Sequence, residues 1–295
     1  ICDSPGEMQR VAAAILGAPL EAVFLDYFGL NHLGWIRRIM YRGKDHLPEL
    51  IGMLQAAGGM PGLPFDPGLI ASLGMIPNEY LFYYYSARQS VENILKAGQT
   101  RGEQIATLNK RFFNDLALII DSSEKEMAEK LDATYQAYLG TRNGTYMVSE
   151  TGKPHDFSDF SFANPQALES EGYAGVALDL IAALNGNRPA VMILNVPNQG
   201  AIQGMHPDDV VEIPVHVSAQ GVFPLAVGEI PELSLGLMKQ VKSYERLTIE
   251  AAAGRSYSKA WLALTLHPLV LDDRLARAIL DGYLEKHGSY FPALQ

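Results

Sequence analysis

Phe24-Leu25-Asp26-Tyr27-Phe28-Gly29-Leu30-Asn31-His32, followed directly by Leu33-Gly34-Trp35-Ile36-Arg37-Arg38-Ile39-Met40-Tyr41, decides how the rest of the chain reads. Val23-Phe24-Leu25 and Trp35 to Tyr41 are rich in β-branched and aromatic residues, which favour extended backbone, and they read as two strands. Gly29-Leu30-Asn31-His32 falls between them. Two more strands follow far downstream. Ala190 to Asn195 is a short, mostly apolar run, and Val211, Ile213, Val215 and Val217 alternate with Glu212, Pro214 and His216. Pro214 cannot donate to a ladder, so it predicts an edge strand or a bulge. Helical spacing covers most of the remainder: residues 6–17, 45–57, 78 to about 139, and 172–184. A long helix then runs through Leu237, Val241, Tyr244, Leu247 and Ala251 to about Gly254, and two more cover 256–266 and 272–287. Residues 58–67 and 142–166, rich in Gly, Pro and polar side chains, read as loops. The sum is one α+β domain over residues 1–295: α-rich, with helices packed around a small, mostly antiparallel sheet.

Composition excludes several roles. The chain has 295 residues, 48% of them hydrophobic, enough for a sizeable core. A net charge of −10 argues against a nucleic-acid partner, whose footprint is clustered Lys and Arg. The single cysteine rules out an intrachain disulfide and fits a reducing, cytoplasmic setting. No apolar run is long enough for a bilayer, and no basic segment precedes Ala12-Ala13-Ala14-Ile15-Leu16. Neither a membrane partner nor a signal peptide is expected. The G-x-G-x-x-G turn of a dinucleotide fold is missing: Gly58-Gly59 lies in a loop, and Gly98 and Gly102 have the wrong spacing and no preceding strand. The chain opens on Ile1 and its first motif begins at Cys2, which suggests a fragment, a processed chain or a separate domain.

Chemistry concentrates at three places. Cys2 precedes a helix start, where free N–H groups and the helix dipole favour a thiolate. His32 lies in the connection between two strands, which can aim an imidazole inward. A thiolate and an imidazole can share a metal. Two protein ligands suit a catalytic ion with positions left for water and substrate, rather than a four-ligand structural zinc. Taken alone, a single cysteine is more often a buried small hydrophobe. Tyr80, Tyr83, Tyr84 and Tyr85 form an aromatic run of the kind that usually packs. Arg101, in Thr100-Arg101-Gly102-Glu103, opens a helix; it either grips a phosphate or carboxylate bidentately or is simply solvated.

Ile1-Cys2-Asp3-Ser4-Pro5 and Phe24 to His32 together resemble glycoside hydrolase family four. Ile76-Pro77-Asn78-Glu79-Tyr80, Thr100-Arg101-Gly102-Glu103 and Asn195-Val196-Pro197-Asn198-Gln199-Gly200-Ala201-Ile202 extend the likeness over nearly the whole chain. The resemblance is to the catalytic C-terminal domain, which follows an NAD-binding Rossmann half absent from this chain, and whose fold is like the second domain of lactate and malate dehydrogenases. It implies that Cys2 and His32 hold a divalent metal, usually manganese, and that Asp3, Asn31 and Arg101 contact substrate. It implies Tyr80 as catalytic base. Family members cleave glycosides with NAD: C3 of the sugar is oxidised, the C2 proton is abstracted, the glycosidic oxygen is eliminated, water adds and the ketone is reduced.

Two details refine the comparison. Asp3 stands where the family commonly has Asn and adds a charge. In α-glycoside-cleaving relatives an Asp precedes the tyrosine; Ser72-Leu73-Gly74-Met75-Ile76 has no acid, which implies the 6-phospho-β-glucosidase branch. A sugar phosphate or glycoside is the expected small-molecule partner, and a homodimer or homotetramer the expected assembly. The isolated chain is expected to be inactive. Two other readings remain beside this one. A hydroxy-acid dehydrogenase substrate domain would need a catalytic His with Asp, and no Cys ligand. A non-catalytic sugar-binding or assembly domain would need no chemistry.

Overall fold

The computed structural model describes residues 4–59, 63–119, 124–153, 172–186, 188–270, 272–291 and 293–295. Seven strands make one sheet: β1 (Phe24–Leu30), β2 (Leu33–Tyr41), β3 (Lys44–Asp45), β4 (Ile76–Pro77), β5 (Ala190–Pro197), β6 (Val210–Ser218) and β7 (Gly221–Pro224). The helices are α1 (Ser4–Leu16), α2 (Leu47–Ala56), α3 (Pro67–Leu73), α4 (Phe82–Tyr85), α5 (Ala87–Ala97) and α6 (Arg101–Ile119). They continue with α7 (Glu124–Gly144), α8 (Val148–Thr151), α9 (Gly172–Leu184), α10 (Glu232–Gly254), α11 (Tyr257–Leu266) and α12 (Asp273–His287). Sheet order is β3-β2-β1-β6-β5, with β4 also on β2 and β7 also on β6, and every ladder is antiparallel. The α-rich α+β expectation is met. Among the described residues no helix is long and apolar enough to cross a membrane.

The β1–β2 hairpin is tighter than the sequence predicts. Gly29 and Leu30 belong to β1, Leu30 faces Leu33, and only Asn31 and His32 turn. Two glycines make this possible. Gly29 and Gly34 face each other across the ladder, and a Cβ on Gly29 would lie 2.3 Å from the Cα of Gly34. A Cβ on Gly34 would meet the Tyr27 hydroxyl at 2.1 Å. Glycine here serves close backbone approach, not a turn.

A bulge shapes the other end. Asp26 faces Arg38 while Tyr27 faces Ile36, which leaves Arg37 as the extra residue. Consecutive arginines therefore both reach the buried Asp26: Arg37 donates to both carboxylate oxygens at 3.0 Å, and Arg38 to Oδ2 at 2.6 Å. Arg37 also donates to the carbonyls of Val227 and Glu229, tying the hairpin to the segment before α10. Beneath lie Phe28 and Trp35, stacked 5.5 Å apart and fully buried. Burying each contributes roughly 2–3 kcal/mol.

Pro214 does not mark an edge. β6 pairs with β5 along its whole length. On its other flank β1 meets it at Glu212 and β7 from Val215 onward. The Pro214 carbonyl accepts from Leu225 N on that flank, and the N and C=O of one strand residue point the same way. Its missing N–H therefore falls where one neighbour gives way to the next, and costs the β5 ladder nothing. The long helical reading from residue 78 is in fact a series, α4 to α7, broken at Ser86 and after Gly98, whose φ is +68°. The loop expected over 142–166 contains the short helix α8; residues 154–171 lie outside the described residues.

Candidate functional site

The hairpin turn fixes His32. Its φ of +62° is the left-handed conformation, uncommon for a residue with a side chain. The ring is partly buried, and its Nδ1 is buried without a hydrogen-bond partner. The neighbouring Asn31 is exposed.

Tyr80 is brought to the same place by a different element. β4 pairs with β2, and the next residue, Asn78, donates its backbone N–H to the Gly34 carbonyl at 2.8 Å. The Asn78 side chain then accepts from Tyr80 N at 3.0 Å and caps the 3₁₀ turn Glu79–Leu81. The Pro77-Asn78 pair thus hands the chain from a strand into a turn beside the hairpin tip. The Tyr80 and His32 rings lie 4.3 Å apart.

Around Tyr80 stands a polar aromatic group. Tyr83 stacks on it at 6.4 Å and Tyr146 meets it edge-on at 6.0 Å. The Tyr146 hydroxyl donates to Glu79 at 3.2 Å and bonds Tyr80 as well; burial first, then the Glu79 charge, raises its pKa. Burial first, then the nearby Glu150 carboxylate, raises the pKa of Tyr83. Arg101 lies over the Tyr146 ring at 5.4 Å, with its Nε buried and unpartnered. Arg101 is set by a reciprocal capping box. Glu103 accepts from Thr100 N at 2.8 Å, and Thr100 Oγ1 accepts from Glu103 N at 3.3 Å. The Thr100 backbone bond, chiefly, lowers the Glu103 pKa.

The structure thus brings together His32, Tyr80 and Arg101. Cys2 and Asp3 lie outside the described residues. Among the described residues no three His, Cys, Asp or Glu side chains converge as a metal site, so of the expected ligands only His32 can be judged here. Its unpartnered buried nitrogen fits a ligand atom. The aromatic run divides. Tyr84 and Tyr85 pack against the core, and Tyr85 accepts from Trp35 Nε1 at 3.0 Å, but Tyr83 joins the group around Tyr80. The sequence reading places Tyr83 with the packing run; its i+3 spacing from Tyr80 is the signal that could have found it. Tyr146 and Glu150 were not legible, since they return from a distant segment that reads as loop. An open cleft of about 530 Å³ beside α10, lined by Met205, His206, Lys239, Lys242 and Arg246, shares no residue with this group. Two of its cations, Lys242 and Arg246, are already paired with Glu245 and Asp209.

Residues 27–270 match the family model described as the family 4 glycosyl hydrolase C-terminal domain. The chain is similar to a probable 6-phospho-beta-glucosidase of Bacillus subtilis (strain 168), 28% identical over 99% of this chain and 60% of that relative. It is similar in structure to the 6-phospho-beta glucosidase of Thermotoga maritima with NAD and glucose-6-phosphate. That likeness has a TM-score of 0.76 and 27% identity, over 100% of this chain and 61% of the other. A form of that enzyme with manganese, NAD+ and glucose-6-phosphate has a TM-score of 0.64 at 26% identity, over 99% and 59%. A 6-phospho-alpha-glucosidase from gut microorganisms, in complex with NAD and glucose-6-phosphate, has a TM-score of 0.68 at 28% identity, over 100% and 61%. The chain therefore spans about three-fifths of the length of these relatives. It belongs to glycosyl hydrolase family 4, and what it carries is that family's C-terminal domain.

Proposed function

We propose that this chain is the catalytic part of a phosphoglucosidase that works with NAD and a divalent metal, manganese by preference. The observation that carries the reading is the placement of Tyr80 against His32, at 4.3 Å, by two unrelated elements of the hairpin and the Pro-Asn turn. Relatives that bind glucose-6-phosphate, NAD and manganese support the cofactors. His32, with Cys2, would hold the ion; when bound, it supplies positive charge next to the sugar oxygens.

Tyr80 takes the proton from C2. A free phenol ionises near about 10, so a base at neutral pH needs neighbouring cations and donors. Arg101 supplies a fixed cation, and the Tyr146 hydroxyl can donate to the Tyr80 oxygen as charge builds there. Tyr83 and Tyr146 also wall the base from water. The 295 residues hold no G-x-G-x-x-G turn, the sequence mark of a dinucleotide pyrophosphate site.

A 6-phospho-β-glucoside is the proposed substrate. Its support is the acid-free Ser72 to Ile76 segment. The test compares hydrolysis of 4-nitrophenyl 6-phospho-β- and α-glucosides by the full-length protein with NAD and manganese. Faster turnover of the α anomer would reverse the assignment. In the same protein Tyr80→Phe should abolish exchange of the substrate C2 proton with deuterated solvent; undiminished exchange would remove Tyr80 from the mechanism.

A further inference from the structure

Buried polar atoms without a partner are rare, because each forfeits its hydration. Among the described residues four side-chain atoms are in that state: His32 Nδ1, Arg101 Nε, Glu150 Oε2 and Ser234 Oγ. Three of the four border one aromatic group. His32 touches Tyr80, Arg101 covers Tyr146, and Glu150 lies near Tyr83, which itself stacks on Tyr80. Such clustering is what a binding site looks like before its ligand supplies the missing bonds.

Glu150 is the member that no motif announces. It is 8% exposed, and its other neighbours hold its backbone firmly. Asn93 of α5 donates to the Glu150 carbonyl at 2.9 Å, and Gln104 of α6 reaches Ser149 at 3.4 Å. Thr151 closes the short helix by donating back to the Met147 carbonyl at 2.8 Å. A carboxylate fixed this way, yet with one oxygen unused, is poorly explained as packing. Glu150 Oε2 and Arg101 Nε do not bond each other, since neither has a hydrogen-bond partner. An ionised carboxylate only accepts and a guanidinium only donates. Held apart on one aromatic wall, they match a ligand that offers a hydroxyl to one and an acceptor oxygen to the other, as a phosphorylated sugar does.

We propose that Glu150 is a substrate-binding residue of this site, its free oxygen accepting a hydrogen bond from a sugar hydroxyl. The inference rests on the phosphoglucosidase reading above and adds a specificity determinant to it. Removing the hydroxyl or the carboxylate should then cost the same interaction once, not twice.

The test measures binding of glucose 6-phosphate and of its 2-, 3- and 4-deoxy analogues to the full-length protein by calorimetry, with thermal unfolding alongside. The wild type should bind one deoxy analogue roughly tenfold to a hundredfold more weakly than the parent, the range for a hydrogen bond to a charged group. Glu150→Gln should lose affinity for the parent by about that factor and should no longer distinguish that analogue, at an unchanged Tm. Glu150→Asp, which keeps the charge but withdraws it by one methylene, should blunt the same discrimination. Wild-type discrimination retained in both variants would overturn the proposal, whatever the Tm does. Wild-type protein that fails to bind glucose 6-phosphate at all would overturn the phosphoglucoside reading together with it. Wild-type binding with unaltered variants would overturn only the role of Glu150.

Discussion

Gly29 and Gly34 show how much one hydrogen atom can decide. A methyl at position 29 meets backbone, the Cα of Gly34 and the Leu33 carbonyl, each at 2.3 Å, and backbone in a paired ladder cannot give way. A methyl at 34 meets the Tyr27 hydroxyl, the end of a side chain, but that hydroxyl is buried and donates to Glu212 at 2.7 Å. We expect Gly29→Ala to destabilise the fold by about 2–4 kcal/mol and Gly34→Ala by about 1–3 kcal/mol, read from urea midpoints. A wild-type midpoint for Gly29→Ala would mean that the hairpin is looser than described. The same residues mark a limit of sequence reading. Gly29 reads as a turn because glycine usually permits unusual backbone angles; here it permits contact, and contact depends on a partner that only the ladder register reveals. Tyr80, His32 and Arg101 were legible because each sits in a local motif. Glu150 was not, since its significance lies in a missing bond.

Elements were legible where a cap and a period agree. Asp272 begins α12 by accepting from Leu275 N at 2.8 Å, and the helix ends at His287 as its periodicity predicts. The stretch from residue 78 to 144 was harder, because its apolar spacing continues across breaks made by Ser86 and Gly98. The junction after α11 carries a pH-dependent feature. His267 Nδ1 accepts from Leu269 N at 3.1 Å, and the ring meets Tyr244 of α10 edge-on at 4.5 Å. Burial holds its pKa below the ordinary histidine value of 6.5. The folded state thus binds fewer protons than the unfolded one as pH falls. Its contribution to stability is complete above about pH 6.5 and declines below that as the unfolded chain takes up its proton first. His267→Asn keeps an acceptor near the Leu269 amide and removes the titration. It should flatten the loss of stability between pH 7 and 5; an unchanged slope would place the acid sensitivity elsewhere.

For the molecule as a whole, the sheet order was the least legible feature, and one of its pairings, β4 on β2, sets Tyr80 beside His32. β1 and β6 are far apart in sequence and meet at Gly29 and Glu212, a pairing no local pattern encodes. That contact brings the β5–β6 unit against the hairpin that carries His32. The resulting domain presents the Tyr80 phenol, the Arg101 guanidinium and a partly buried imidazole, and its sequence carries no G-x-G-x-x-G turn. Chemistry makes this a sharp expectation. The proton at C2 of a sugar is acidic enough for a phenol only when C3 is a carbonyl, and the side chains of this domain offer no oxidant for that carbon. Residues 1–295 alone, given manganese and NAD, should therefore bind a 6-phosphoglucoside at best and turn none of it over. A protein that joins them to a dinucleotide-binding domain should hydrolyse it and exchange the C2 proton with solvent. Both readouts belong in one experiment, because hydrolysis without exchange would indicate ordinary acid–base cleavage. If residues 1–295 alone matched the rate of the longer protein, the redox reading would fall. Glu79 and Glu150, the carboxylates flanking Tyr80 and Tyr83, would then be the first candidates for acid and base.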